Sequence, residues 1–173
     1  MTDRSTGGAP AKATVTFERI FEAAIADVWE LWTTQAGLES WWGPEGFATR
    51  VLRIEVRVGG GLHYAMTATA PEQIGFLEKA GLPITTEQRV IYQAVVPPTH
   101  LVYVSRADFI PGVAPYDVTT RVELRAEGAK VRMLVTIDAM HDADWTKMAT
   151  FGWQSQLGRL AQVLADRPHA ALR

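Results

Sequence analysis

Few side chains in this sequence could do chemistry, and their spacing narrows what they could do. It contains no cysteine, which removes thiolate nucleophiles, disulfides and cysteine-ligated zinc or iron–sulfur sites together. The four histidines, His63, His100, His141 and His169, include no pair at metal-ligand spacing. His141-Asp142-Ala143-Asp144 invites a metal reading, yet acidic residues just ahead of a helical pattern are better explained as N-caps. Ser105 and Ser155 lack an evident histidine and carboxylate partner. Arg106 and Asp108, at the end of a strand pattern, are the pair that spacing offers as acid and base, on the rim of whatever the strand encloses. No catalytic residue, metal or cofactor is assigned on these grounds.

Residues suited to holding an apolar ligand are more numerous. Tyr64, Tyr103 and Tyr116 each combine a ring with a hydroxyl that needs a partner when buried. Met66, Met133 and Met148 are adaptable enough to line an irregular cavity. Trp42, in a turn, is placed to close a cavity mouth, and Trp153 lies on a long helical stripe. Gly152 sits in mid-helix, where glycine costs about 1 kcal/mol against alanine, so a packing or space-making reason is expected. Trp42, Tyr64, Met66, Tyr103, Met133, Met148 and Trp153 are the cavity candidates, with Arg106, Asp108 and Tyr116 at the rim. The competing reading is that these side chains fill a solid core.

The elements that must position them follow from periodicity. Thr14 to Phe21 is β-branched and aromatic, a first strand. Asp27 is placed to cap a short helix, Val28 to Thr33, and a helical turn over Gly37 to Trp42 breaks at Gly43, Pro44 and Gly46. Ala48 to Val58 alternates with Leu52, Ile54 and Val56 on one face, and Gly59 to Gly61 turns it into a strand over Leu62 to Thr69. Arg89 to Val96 pairs with Leu101 to Arg106, and Tyr116 to Ala126 with Lys130 to Asp138. Asp144 to Asp166 then changes to helical period, capped by Asp142 or Asp144 and stopped before Pro168. The class is therefore α+β, an antiparallel sheet with a long C-terminal helix and two short helices after the first strand.

The segment Pro71 to Gln88 is longer than a hairpin needs. Pro71 at a first helical position and Ile74, Phe76, Leu77, Leu82 and Ile84 predict an ordered, helix-bearing excursion between the third and fourth strands. It would serve as a lid at a cavity mouth, as a dimer contact or as a surface excursion.

Seventeen basic against nineteen acidic side chains, with no long run of either sign, point to no nucleic-acid or membrane-surface partner. Met1 to Ala13 is polar and small-residue rich, without the apolar stretch of a secretory signal, and no segment is long enough to span a bilayer. The expected organisation is an N-terminal tail over 1–13, one domain over 14–166 and a short tail over 167–173, in a cytoplasmic protein.

Several pieces along this chain carry a family likeness. Arg19 to Phe47, with its Ala-x-x-x-x-Val-Trp helix entry and its Trp41-Trp42-Gly43-Pro44 turn, resembles the opening of the activator-of-heat-shock-ATPase-like branch of the SRPBCC (START-like) superfamily. Arg57-Val58-Gly59-Gly60 looks like that branch's hairpin, with Val58 where proline is usual. Pro97 to Tyr103 and Gly152-Trp153-x-x-x-Leu157-x-x-Leu160 match its later landmarks. The resemblance implies the helix-grip fold, in which a curved sheet and the C-terminal helix close around a cavity. Three functions compete under it. Binding of a small hydrophobic or aromatic molecule, as carrier or sensor, is favoured because inward faces are apolar and no acid–base constellation is visible. An enzyme of cyclase, dehydratase or hydrolase type would use Tyr64, Tyr103, Arg106 or Asp108. A regulator of the ninety-kilodalton heat-shock chaperone rests on family naming alone.

Overall fold

The computed structural model describes residues 12–168. Most of both expected tails, and His169, lie outside the described residues. The first strand, β1 (Thr14–Phe21), leads into α1 (Ile25–Thr33) and α2 (Gln35–Trp41). Six strands follow: β2 (Phe47–Ile54), β3 (Gly61–Ala68), β4 (Thr85–Val96), β5 (His100–Ala107), β6 (Tyr116–Glu127) and β7 (Lys130–Asp138). α3 (Pro71–Lys79) interrupts them between β3 and β4, and α4 (Ala143–Asp166) closes the chain. The strands form one antiparallel sheet in the order β1-β7-β6-β5-β4-β3-β2. Because β1 pairs with β7, the connection from β1 to β2 must span the whole sheet. α1 and α2 make that crossing, packing on β6 and β7 at one end and on β2 and α4 at the other. This is the helix-grip arrangement.

Local chemistry explains each helix. Val28, Leu31 and Trp32 are buried at the spacing of one helical face. Asp27 is not the cap: Ala24 is, without a side-chain bond, and Asp27 sits in the first turn, where its charge suits the helix dipole. Thr34 caps α2 by accepting from the Gly37 amide at 3.0 Å. Glycine is required at 37 because a Cβ there would stand 2.6 Å from the Glu30 carbonyl. Asp142 caps α4, its carboxylate accepting from the Trp145 amide at 2.8 Å.

The concave face carries the core. Val122 and Leu124 of β6, Val131, Met133, Val135 and Ile137 of β7, and Leu157, Leu160 and Leu164 of α4 are all buried. The strand expected over Ala48 to Val58 ends sooner, at Ile54, and its register shifts between Val51 and Arg53. That irregularity turns Leu52 outward, 42 % exposed, and puts Thr49 and Val51 inside instead. β4 starts four residues before the expected Arg89, at Thr85, because it follows β3 to its end.

The excursion after β3 contains the expected helix with Pro71 in its first turn, but none of the α3 residues is buried. Ile74, Leu77 and Ile84 are half-buried, while Phe76 and Leu82 face solvent. The docking expected of these side chains is thus partial.

Candidate functional site

The turn after α2 is fastened to α4. Gly43 and Gly46 take φ of 96° and 88°, which lets the chain reverse within Trp42 to Phe47. The Gly43 amide donates to Gln156 Oε1 at 3.1 Å and the Glu45 amide to Ser155 Oγ at 2.9 Å. One guanidinium nitrogen of Arg159 donates to the carbonyls of Gly43, Pro44 and Phe47 at 2.9, 3.2 and 3.0 Å. Thr49 Oγ1 donates to the Trp42 carbonyl at 2.7 Å. Trp42 is thereby held inward, its ring edge-on to Tyr64, Tyr103 and Trp153 at centroid distances of 6.0, 6.2 and 5.8 Å.

Those four aromatics bound a cleft of about 240 Å³ between α4 and the strands β3 to β6. Met66 and Val90 complete its apolar wall, and Phe109 and Met140 border it where β5 and β7 end. Gly152 lies against it on α4, and a Cβ built there meets nothing within 4 Å, so the missing side chain leaves open space.

The polar groups inside are neutral. Tyr64 donates to Gln88 Oε1 at 3.1 Å, and Ser105 Oγ to the Val118 carbonyl at 3.4 Å. The Tyr103 hydroxyl is buried without a hydrogen-bond partner in the protein, although Thr120 is its cross-strand neighbour. Burial pushes the Tyr103 phenol well above the usual tyrosine range, and Thr120 offsets this only in part. Burial raises Tyr64 as well, with a partial offset from Trp42. Neither phenol is a base near neutral pH.

Trp42, Tyr64, Met66, Tyr103 and Trp153 therefore share this cleft, while two other cavity candidates stand elsewhere. Met133 is fully buried but not among the lining residues; it belongs to the solid core on β7. Met148 is 54 % exposed. At 3.6 residues per turn it lies about 140° around the helix from Trp153, so a spacing of three or four from Trp145 and Gly152 did not place it on the inner stripe. Of the rim candidates, Arg106 borders the cleft, but it alternates with inward Ser105 and Ala107 and is exposed. Asp108 is exposed and does not line the cleft. Tyr116 turns to His141, meeting Nδ1 at 3.0 Å and accepting from its amide at 3.1 Å, and so pins the loop before α4.

Sequence reasoning missed Gln156, Thr120, Gln88 and Phe109. The signal for the first two was present: Gln156 falls on the apolar stripe of α4, and Thr120 among Val118, Val122 and Leu124. A larger, solvent-open groove of about 670 Å³ follows the first half of α4 past Thr146, Thr150 and Phe151, with no buried polar group converging on it. Among the described residues no cluster of histidine, aspartate and glutamate could hold a metal, and no helix is long and apolar enough to cross a membrane.

A family model described as Activator of Hsp90 ATPase homolog 1-like protein matches residues 22–165. The chain belongs to this family. The matched span includes every residue lining the cleft. Among solved structures, a protein from Chromobacterium violaceum is similar with a TM-score of 0.73 at 24 % identity, over 89 % of this chain and 98 % of that one. A protein from Arthrobacter aurescens gives 0.69 at 20 %, over 92 % of each chain. The AHSA1 protein from Silicibacter pomeroyi gives 0.66 at 21 %, over 88 % and 98 %. At such identities these likenesses establish the fold alone. No curated protein matches the chain.

Proposed function

We propose that the protein binds a small hydrophobic or aromatic molecule in the cleft between its sheet and α4, as a carrier or sensor in the cytoplasm. The observation that carries this reading is the open space left by Gly152 among Trp42, Tyr64, Tyr103 and Trp153. A helix that omits a side chain where one would fit, and so gives up about 1 kcal/mol of helix propensity, has a use for the space. The volume lies just under the ~300–1,000 Å³ usual for ligand pockets, so the occupant is compact.

An enzymatic reading of the same cleft has less support. No carboxylate or histidine lines it, both inward tyrosines are held protonated, and Asp108 lies outside. The family description names an activator of a chaperone ATPase, but no feature of this site supports transferring that role. Native mass spectrometry of the purified chain, compared with Gly152→Leu, tests the binding proposal. A co-purifying small molecule on the parent that is lost from the variant is expected. Identical spectra, together with no binding of naphthalene to either chain, would sink it.

A further inference from the structure

We infer that the cleft selects an uncharged, flat aromatic molecule bearing a carbonyl-type acceptor, with that oxygen held by the Tyr103 hydroxyl; this rests on the ligand-binding reading above. Charge is decided by the lining, which contains no aspartate, glutamate, lysine or histidine. Its single charged residue, Arg106, is exposed and alternates with inward Ser105 and Ala107, so its guanidinium belongs to the opposite face of the sheet. An ionised ligand entering here would lose water without meeting a counter-charge.

The need for an acceptor comes from counting donors already engaged. Tyr64 donates to Gln88, and Ser105 to the Val118 carbonyl. Gln156 accepts from the Gly43 amide through Oε1, which fixes its nitrogen as the free end, and that nitrogen donates to no protein acceptor among the described residues. The Tyr103 hydroxyl, 5 % exposed as a residue, completes no hydrogen bond within the protein, Thr120 standing near it and offsetting only part of the effect of burial. Because burial keeps that phenol protonated, it stands as a donor across neutral pH. The cleft therefore offers unengaged donors between aromatic walls, and a flat molecule with an exposed lone pair satisfies both.

Equilibrium dialysis of the full chain against three matched probes tests this: 2-acetylnaphthalene, its alkene isostere 2-isopropenylnaphthalene, and 2-naphthoate. The ketone should bind about tenfold tighter than the alkene, as one good hydrogen bond to a buried donor allows, and naphthoate should bind weakest. Tyr103→Phe should reduce the ketone to the level of the alkene and leave the alkene unchanged. That variant keeps the ring and removes an unpartnered buried donor, so folding is preserved. If ketone and alkene bind alike, or the ketone keeps its advantage in Tyr103→Phe, the binding reading stands and the acceptor inference falls. Tightest binding by naphthoate overturns the inference through its charge argument. If none of the three binds, the binding reading falls and takes the inference with it.

Discussion

Arg159, in the second half of α4, donates to the carbonyl oxygen of Gly43 at 2.9 Å, joining positions 116 residues apart in the chain. The same nitrogen reaches the Pro44 and Phe47 carbonyls, so one side chain gathers three carbonyls from the turn and the first residue of β2. The contact connects the two walls of the cleft, since Trp42 precedes that turn and Trp153 belongs to the same helix as Arg159.

Removing this clamp should cost more than an ordinary surface arginine. Arg159→Ala is expected to destabilise by about 2 kcal/mol, the scale for hydrogen bonds to a charged group, and to lower the melting temperature by about 4–8 °C. Arg159→Lys should recover only part of this, because its ammonium ends a bond short of the guanidinium nitrogen that makes all three bonds. Urea denaturation with an unchanged slope checks it. A loss below about 0.5 kcal/mol for the alanine variant would show that the turn holds itself.

Two glycines should respond in opposite directions. Gly152→Ala adds a Cβ into open space, so it should stabilise by about 0.8–1 kcal/mol and raise the melting temperature by about 2–4 °C. Gly37→Ala puts its Cβ 2.6 Å from the Glu30 carbonyl and 2.8 Å from the Leu31 Cα, both backbone atoms that cannot swing aside. It should destabilise by about 1–3 kcal/mol, as overpacking does. Thermal unfolding of the pair decides it, and equal signs would refute the argument from space.

Element types were legible wherever one period ran unbroken. β1 and β7 match their expected bounds, and α4 differs by one residue, because strict alternation and a long helical stripe leave little freedom. The misplacements have local causes that composition does not reveal. Leu52 reads as inward until the irregularity after Val51 reverses its face. Met148 satisfies a three-and-four spacing, yet stripe membership depends on angle around the helix and not on the nearest neighbour alone. Asp108 and Tyr116 belong to the ends of strands, where loop geometry decides direction. The cleft's floor was within reach of reasoning at Tyr103. Its unpartnered hydroxyl was not, since satisfaction depends on the groups opposite it.

Phe76, on the excursion, should be nearly silent in the isolated domain. It is 63 % exposed and no residue of α3 is fully buried, so Phe76→Ser is expected to change stability by less than about 0.5 kcal/mol. Sedimentation at increasing concentration adds the second half of the test. A chain that self-associates and becomes monomeric on this substitution would assign α3 to a subunit contact, whereas a large loss of stability in a monomer would show that the helix docks more firmly than its exposure indicates.

Alkaline pH should unfold the protein through its tyrosines. Three of the four, Tyr64, Tyr92 and Tyr103, have phenols raised by burial, Tyr92 to about 12. In the unfolded chain each would release its proton near pH 10. Between that value and the folded pKa the native state binds more protons than the unfolded state, so stability falls as pH rises. Below pH 10 the contribution is fully present. Above it, each affected tyrosine removes about 1.4 kcal/mol per pH unit until its folded pKa is reached, and all three begin to act near pH 10. The expected result is a urea midpoint that is level from pH 8 to about 9.5 and drops steeply between about 10 and 12, with phenolate absorbance rising together with unfolding. Tyr92→Phe, which removes one of the three, should make the drop shallower. A midpoint that stays level through pH 11 while phenolate absorbance develops in the folded protein would show that these hydroxyls ionise in place, and that burial does not hold their protons.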